Sequence, residues 1–174
     1  VDVYSEDRQT HWDVNYKAVS DLVDLCNEHS AALVHISTDF VYTNSIENAS
    51  ENDVPVHNRN WYGYTKLLSD AHIQLKSDDY LLIRTSYKSR PFPYDKAWTS
   101  QKGNFDYVDN IASIIIKLID NNSRGVYNVG TESKTMFELA RRTNGAVKPS
   151  DKLYHDSIPT NITMDLQKLM EVEV

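Results

Sequence analysis

At 174 residues, with 40% hydrophobic and 25% charged side chains, the chain can form one domain with its own core and at most a small appendage. A formal net charge of −7, without any Lys/Arg run, excludes the electrostatic footprint of a nucleic-acid or anionic-membrane binder. The single cysteine, Cys26, excludes an internal disulfide, and no apolar run is long enough for a membrane span.

A reducing cytoplasm is the expected location by default, and the sequence carries no signal-like segment. It opens Val1-Asp2-Val3-Tyr4 without Met, the form of a processed chain or a fragment. Residues 9–29 read as a helix, with Val14, Ala18, Leu22 and Leu25 as an apolar stripe and Cys26 as a buried structural thiol beside it. Ala31-Ala32-Leu33-Val34-His35-Ile36 has the short continuous apolar form of a buried parallel strand, and His35 reads as a hydrogen-bonded core histidine. It runs into Ser37-Thr38-Asp39-Phe40-Val41-Tyr42, which places hydroxyl and carboxylate groups at a strand's C-terminal end. That edge is where open α/β sheets bind ligands, although Ser, Thr and Asp equally suit a plain turn.

A polar loop is predicted over 43–60, then a helix from Tyr62 to about Leu75. Gly63 near its start lowers helix propensity and leaves room for a close approach. Tyr80-Leu81-Leu82-Ile83-Arg84 reads as a second buried strand, again followed by small polar residues, Thr85 and Ser86. Pro91 and Pro93 make 88–103 a loop or lid, in which Trp98 suits either ligand recognition or packing. Val108–Ile119 is a third helix, Val126–Val129 a third strand, and a fourth helix starts at Thr135 with Glu138 at capping-box spacing. A short helix is predicted around Leu166–Leu169. Strands alternating with helices define an α/β fold with a parallel sheet, here of only three strands, which implies an exposed strand edge open to self-association or a partner.

One further pattern concerns chemistry. Tyr62 and Lys66 stand four positions apart at a helix start, so both side chains share a face. A cation beside a phenol stabilises phenolate, which makes the pair a plausible acid–base device; alone it is equally an ordinary surface pair.

In order, Ser37-Thr38-Asp39-Phe40-Val41-Tyr42, Tyr62-x-x-x-Lys66 and Leu82-Ile83-Arg84-Thr85-Ser86 resemble the extended short-chain dehydrogenase/reductase superfamily, and within it the sugar-nucleotide reductases of the dTDP-4-dehydrorhamnose reductase type. Asn15, Phe105-Asp106-Tyr107-Val108-Asp109 and Gly125-Val126-Tyr127-Asn128-Val129-Gly130 extend the resemblance over nearly the whole chain. It implies an incomplete Rossmann-like sheet from 1–87 and 105–130, with substrate-side elements from 88–104 and 131–174. It also implies that Tyr62 is the general acid for the substrate carbonyl, that Lys66 lowers the tyrosine's pKa and holds the nicotinamide ribose, and that Thr38 holds the substrate oxygen. Thr85 and Ser86 would face the nicotinamide of NADP or NAD. A nucleotide sugar is the implied substrate and no metal is required. An epimerase or dehydratase of the same superfamily, or a non-catalytic reductase-like module, is the alternative.

Two departures accompany the resemblance. The five glycines, at 63, 103, 125, 130 and 145, form no G-x-x-G-x-x-G turn for a cofactor pyrophosphate. The chain therefore reads as beginning after the family's fourth strand, and as holding a dinucleotide weakly and being inactive by itself. The second departure is Lys102-Gly103-Asn104-Phe105-Asp106-Tyr107, which stands where rhamnose-type reductases carry Asp-Gln-x-Gly-x-Pro-Thr. That favours the broader reductase/epimerase group.

Overall fold

The computed structural model describes residue 5 and residues 7–43, 46–53, 60–151 and 158–172. Three strands, β1 (Leu33–Ile36), β2 (Tyr80–Arg84) and β7 (Gly125–Asn128), form a parallel sheet in the order β1-β2-β7. The register pairs His35 with Leu82 and Leu82 with Val126. Side chains alternate between the two faces of a strand, so each face acquires its own core. Leu33, Leu82 and Val126 pack against Val19, Val23 and Ile73 of helices α2 (Ala18–Glu28) and α3 (Trp61–Lys76). On the opposite face Leu81, Ile83 and Tyr127 pack against Ile111 and Leu118 of α4 (Val108–Asp120) and Leu169 of α6 (Gln167–Met170).

Helix α2 continues α1 (Arg8–His11) through a π-helical stretch, Trp12–Lys17. There the buried Asn15 donates to the Thr65 hydroxyl at 3.1 Å, bolting the stretch to α3. The predicted stripe is only partly inward: Val14, Leu22 and Leu25 are exposed, while Val19 and Val23 carry the contact. Cys26 is partly buried against the same cluster. Strand β1 is an edge, and its Val34 and Ile36 are exposed.

The segment 88–103 is not the loose loop its prolines suggest. It holds β4 (Lys96–Trp98) and the strand β5 (Lys102–Gly103), after β3 (Tyr87–Lys88). Each pairs with a segment remote in sequence. Strand β3 meets β6 (Asp106–Tyr107) and β4 meets β9 (Lys148–Ser150), both parallel; β5 lies between β10 (Asn161–Ile162) and β8 (Lys134–Thr135). Phe92, Ala97, Phe105, Tyr107, Met136, Leu139 and Ile162 make a separate core around α5 (Met136–Arg141). Thr135 and Glu138 form the expected capping box. Of the predicted 43–60 loop, residues 44, 45 and 54–59 lie outside the described residues. The remainder is anchored by a bridge between Ala49 and Met164.

Candidate functional site

The C-terminal ends of β1 and β2 converge on one cleft. Beyond β1, Ser37 N–H donates to the Ile83 carbonyl at 2.6 Å, and Asp39 N–H to that of Thr85 at 3.3 Å. The two turns are therefore laced together. The Thr38 hydroxyl accepts from Phe40 N–H at 3.2 Å and caps a 3₁₀ turn, Asp39–Tyr42. Helix α3 begins one residue before the predicted start. Asn60 caps it by accepting from Gly63 N–H at 3.0 Å, which fixes Tyr62 in the first turn.

The cleft has a volume of about 350 Å³. Thr38, Tyr62, Thr85 and Ser86 all line it, together with Phe40, Tyr87, Lys88, Trp98, Gln101, Met136 and Ile162. Four of the five residues singled out from the sequence thus meet in one place. The fifth, Lys66, is buried behind the wall. Its ammonium donates to the Ile36 carbonyl at 2.6 Å and lies 3.1 Å from His35 Nε2. Trp98 both lines the cleft and packs on the second core.

Tyr62 and Thr38 line the cleft together, and the pKa of Tyr62 is raised. Burial is the main cause; the neighbouring Thr38 hydroxyl opposes it, and Asp39, Tyr87 and Asp70 add to it. The expected lowering by Lys66 is not among these influences, and the lysine's ammonium is engaged with the Ile36 carbonyl and His35. The phenol is consequently a proton-bearing donor at neutral pH. His35 is neutral, its pKa pushed down to about 3 by burial and then by the Lys66 charge. Burial also lowers the pKa of Lys66, opposed by Asp70.

Sequence reading placed the Asp39 carboxylate at this strand end and missed Lys88. Asp39 is fully buried and pushed up to about 8, by desolvation above all, with Lys88 opposing. Lys88 lines the cleft, and burial lowers its pKa against the pull of Asp39. The available signal was period-two spacing: residues 86 and 88 project to the same side of an extended segment. Among the described residues, no group of three or more His, Cys, Asp or Glu could hold a metal ion. No helix among them is long and apolar enough to cross a membrane.

A parallel sheet with helices on both faces, and polar turns at its strand ends, defines a Rossmann-like reductase fold. The chain belongs to the RmlD substrate binding domain family, whose profile matches residues 1–88. Among solved structures it is similar to a hypothetical dTDP-4-dehydrorhamnose reductase from Sulfolobus tokodaii (25% identity, TM-score 0.79), covering 96% of this chain and 67% of that one. The fold is shared with dTDP-4-dehydrorhamnose reductase from Bacillus anthracis in complex with NADP (22%, TM-score 0.80), over 98% of this chain and 69% of that one. It is also shared with UDP-glucuronic acid 4-epimerase from Bacillus cereus in complex with NAD (19%, TM-score 0.75), over 99% and 65%. No curated protein matches the chain.

Proposed function

We propose that the chain is the catalytic and substrate-binding part of an NAD(P)-dependent sugar-nucleotide reductase acting on a keto sugar. The observation that carries this reading is that Tyr62 and Thr38 line one cleft together with Thr85 and Ser86. Family membership and the reductase names of the similar structures support it.

The nicotinamide end of a dinucleotide fits the turn after β2. The Thr85 hydroxyl is buried there without a hydrogen-bond partner among the described residues, so it is available to a bound polar group. When bound, the cofactor supplies hydride to the carbonyl carbon. The chain's own residues manage the oxygen. Thr38 holds it by hydrogen bonding, and Tyr62 transfers its phenolic proton as negative charge develops. The raised pKa of Tyr62 keeps that proton in place until it is needed. Lys66 braces the wall through the Ile36 carbonyl, and its positive potential favours the phenolate left after transfer.

The test is oxidation of NADPH by the intact gene product with a dTDP-4-keto-6-deoxy sugar. Tyr62→Phe is expected to lower turnover by about 10²–10⁴-fold, the usual worth of a positioned general acid, while retaining the fold and the affinity for the sugar nucleotide. Undiminished turnover in that variant would remove Tyr62 from the mechanism. A wild-type protein that neither binds nor turns over any sugar nucleotide would remove the reductase reading.

A further inference from the structure

We propose that Lys88 is an anion-recognition group of the cleft, holding a negatively charged oxygen of the bound sugar nucleotide beside Thr38 and Tyr62. The inference rests on the sugar-nucleotide reading above and goes on to specify a charge that the ligand must carry.

An ammonium has three donors and no acceptor, and removing it from water is costly unless those donors are used. Lys88 sits on β3, next to the Thr85-Ser86 turn, and is partly buried in the cleft wall. Among the described residues, no hydrogen bond and no ion pair within 4.0 Å engages its side chain. The acidic group that acts on it is Asp39.

The plainer explanation is that Lys88 merely neutralises Asp39. The geometry argues against a closed pair. Asp39 Oδ1 accepts from the Thr38 hydroxyl at 3.4 Å, while Oδ2 is buried without a partner among the described residues. A carboxylate paired with Lys88 would have Oδ2 satisfied and the ammonium within ion-pair distance. Neither condition holds, so the donor capacity of Lys88 is left for whatever occupies the cleft. The other described cleft-lining groups are uncharged hydroxyls, amides, aromatics and apolar side chains, which makes Lys88 the sole cation among the described lining residues. A ligand bringing a carboxylate on the sugar or an oxygen of its diphosphate supplies the missing acceptor. Both are anionic oxygens, and the experiment separates them.

Calorimetric titration of the protein with UDP, UDP-glucose and UDP-glucuronate, repeated on Lys88→Met and Lys88→Arg, is the test. A lost charge-assisted bond corresponds to about ten- to a hundredfold in affinity. A loss in Lys88→Met confined to UDP-glucuronate assigns the sugar carboxylate, and an equal loss for all three ligands assigns the diphosphate. Lys88→Arg keeps the charge and is expected to stay within about threefold of wild type for the affected ligand. Unchanged affinities for all three ligands in a folded Lys88→Met would overturn the proposal and leave Lys88 as a counter-charge for Asp39. Should Lys88→Met fail to fold, Asp39→Asn/Lys88→Met removes both ionisable groups together and is read against Asp39→Asn alone. Where the wild type binds only thymidine ligands, the same comparison is made with dTDP, dTDP-glucose and dTDP-glucuronate; failure to bind either set overturns the sugar-nucleotide reading itself, and this proposal with it, before a variant is made.

Discussion

Lys66 reaches His35 Nε2 at 3.1 Å, which is a hydrogen bond only while that nitrogen is an acceptor. A protonated imidazole would set donor against donor and charge against charge. Burial and the lysine together hold the His35 pKa down to about 3, so folded protein keeps the ring neutral. The expected result is a His35 resonance that does not move between about pH 5 and 8, where an exposed histidine titrates; histidine NMR would show it. The unfolded chain takes up that proton near pH 6.5, so His35 contributes stability that is complete above that value and is lost as pH falls toward 3. Asp39 has the opposite sign. Its folded pKa of about 8 lies above the ordinary 3.8, so the folded state retains a proton that the unfolded state releases. Stability is therefore full below about pH 4 and falls as pH rises to about 8. Asp39→Asn removes this slope while still offering an acceptor to Thr38. Relative to wild type, the variant should gain on the order of a few kcal/mol between pH 5 and pH 8 in urea titrations.

At the scale of elements, Asn60 positions the site, since its cap starts the helix that presents Tyr62 and buries Lys66. Asn60→Ala should cost about 1 kcal/mol in urea unfolding and, if Tyr62 is the proton donor, lower turnover beyond what instability explains. Gly130 is constrained differently. A Cβ there would stand 2.3 Å from the Asn104 carbonyl, in the close approach where Asn104 accepts from Thr131 N–H at 2.9 Å. Gly130→Ala should destabilise by roughly 1–3 kcal/mol in urea titrations, because backbone rather than a flexible side chain must yield. These elements also mark how far the sequence could be read. The helices and long strands of the sheet announce themselves by period: Leu81, Leu82 and Ile83 form a continuous apolar run, and α4 keeps an apolar stripe through Ile111, Ile115 and Leu118. The two- and three-residue strands in 87–107 carry no period to detect, and their partners lie far along the chain, as Ala97 with Pro149. Their pairing is decided by Phe92, Phe105 and Met136 collapsing together, a tertiary outcome. The cleft was half legible for the same reason. Thr38, Tyr62, Thr85 and Ser86 belong to strand ends and a helix start, whereas Gln101, Met136 and Ile162 arrive through the second core.

Across the whole molecule, Arg84 ties the sheet to the segments that surround the cleft. It ends β2, forms a buried ion pair with Asp70 of α3 at 3.0 Å, and donates to the Tyr42 hydroxyl at 2.7 Å and the Glu51 carbonyl at 3.0 Å. Tyr42 in turn donates to Asn128 at 2.7 Å, and Asn128 donates to the carbonyls of Ala49 and Asp165. One guanidinium thus links β2, α3, the 3₁₀ turn and the 46–53 segment, and through Asn128 it reaches β7 and the stretch before α6. Burial raises the Asp70 pKa, with Arg84 as the largest opposing influence, so the carboxylate depends on this partner for its charge. Arg84→Met leaves an unpaired acid among buried neighbours and is expected to cost roughly 3–5 kcal/mol in urea unfolding, more than the loss of a typical core methylene. Asp70→Leu/Arg84→Met removes the stranded charge as well and should recover a substantial part of that loss, because apolar replacement of a whole buried pair is often neutral. If the double variant is no more stable than Arg84→Met, the dominant contribution of Arg84 lies in its bonds to Tyr42 and Glu51, and the cross-chain network outweighs the ion pair.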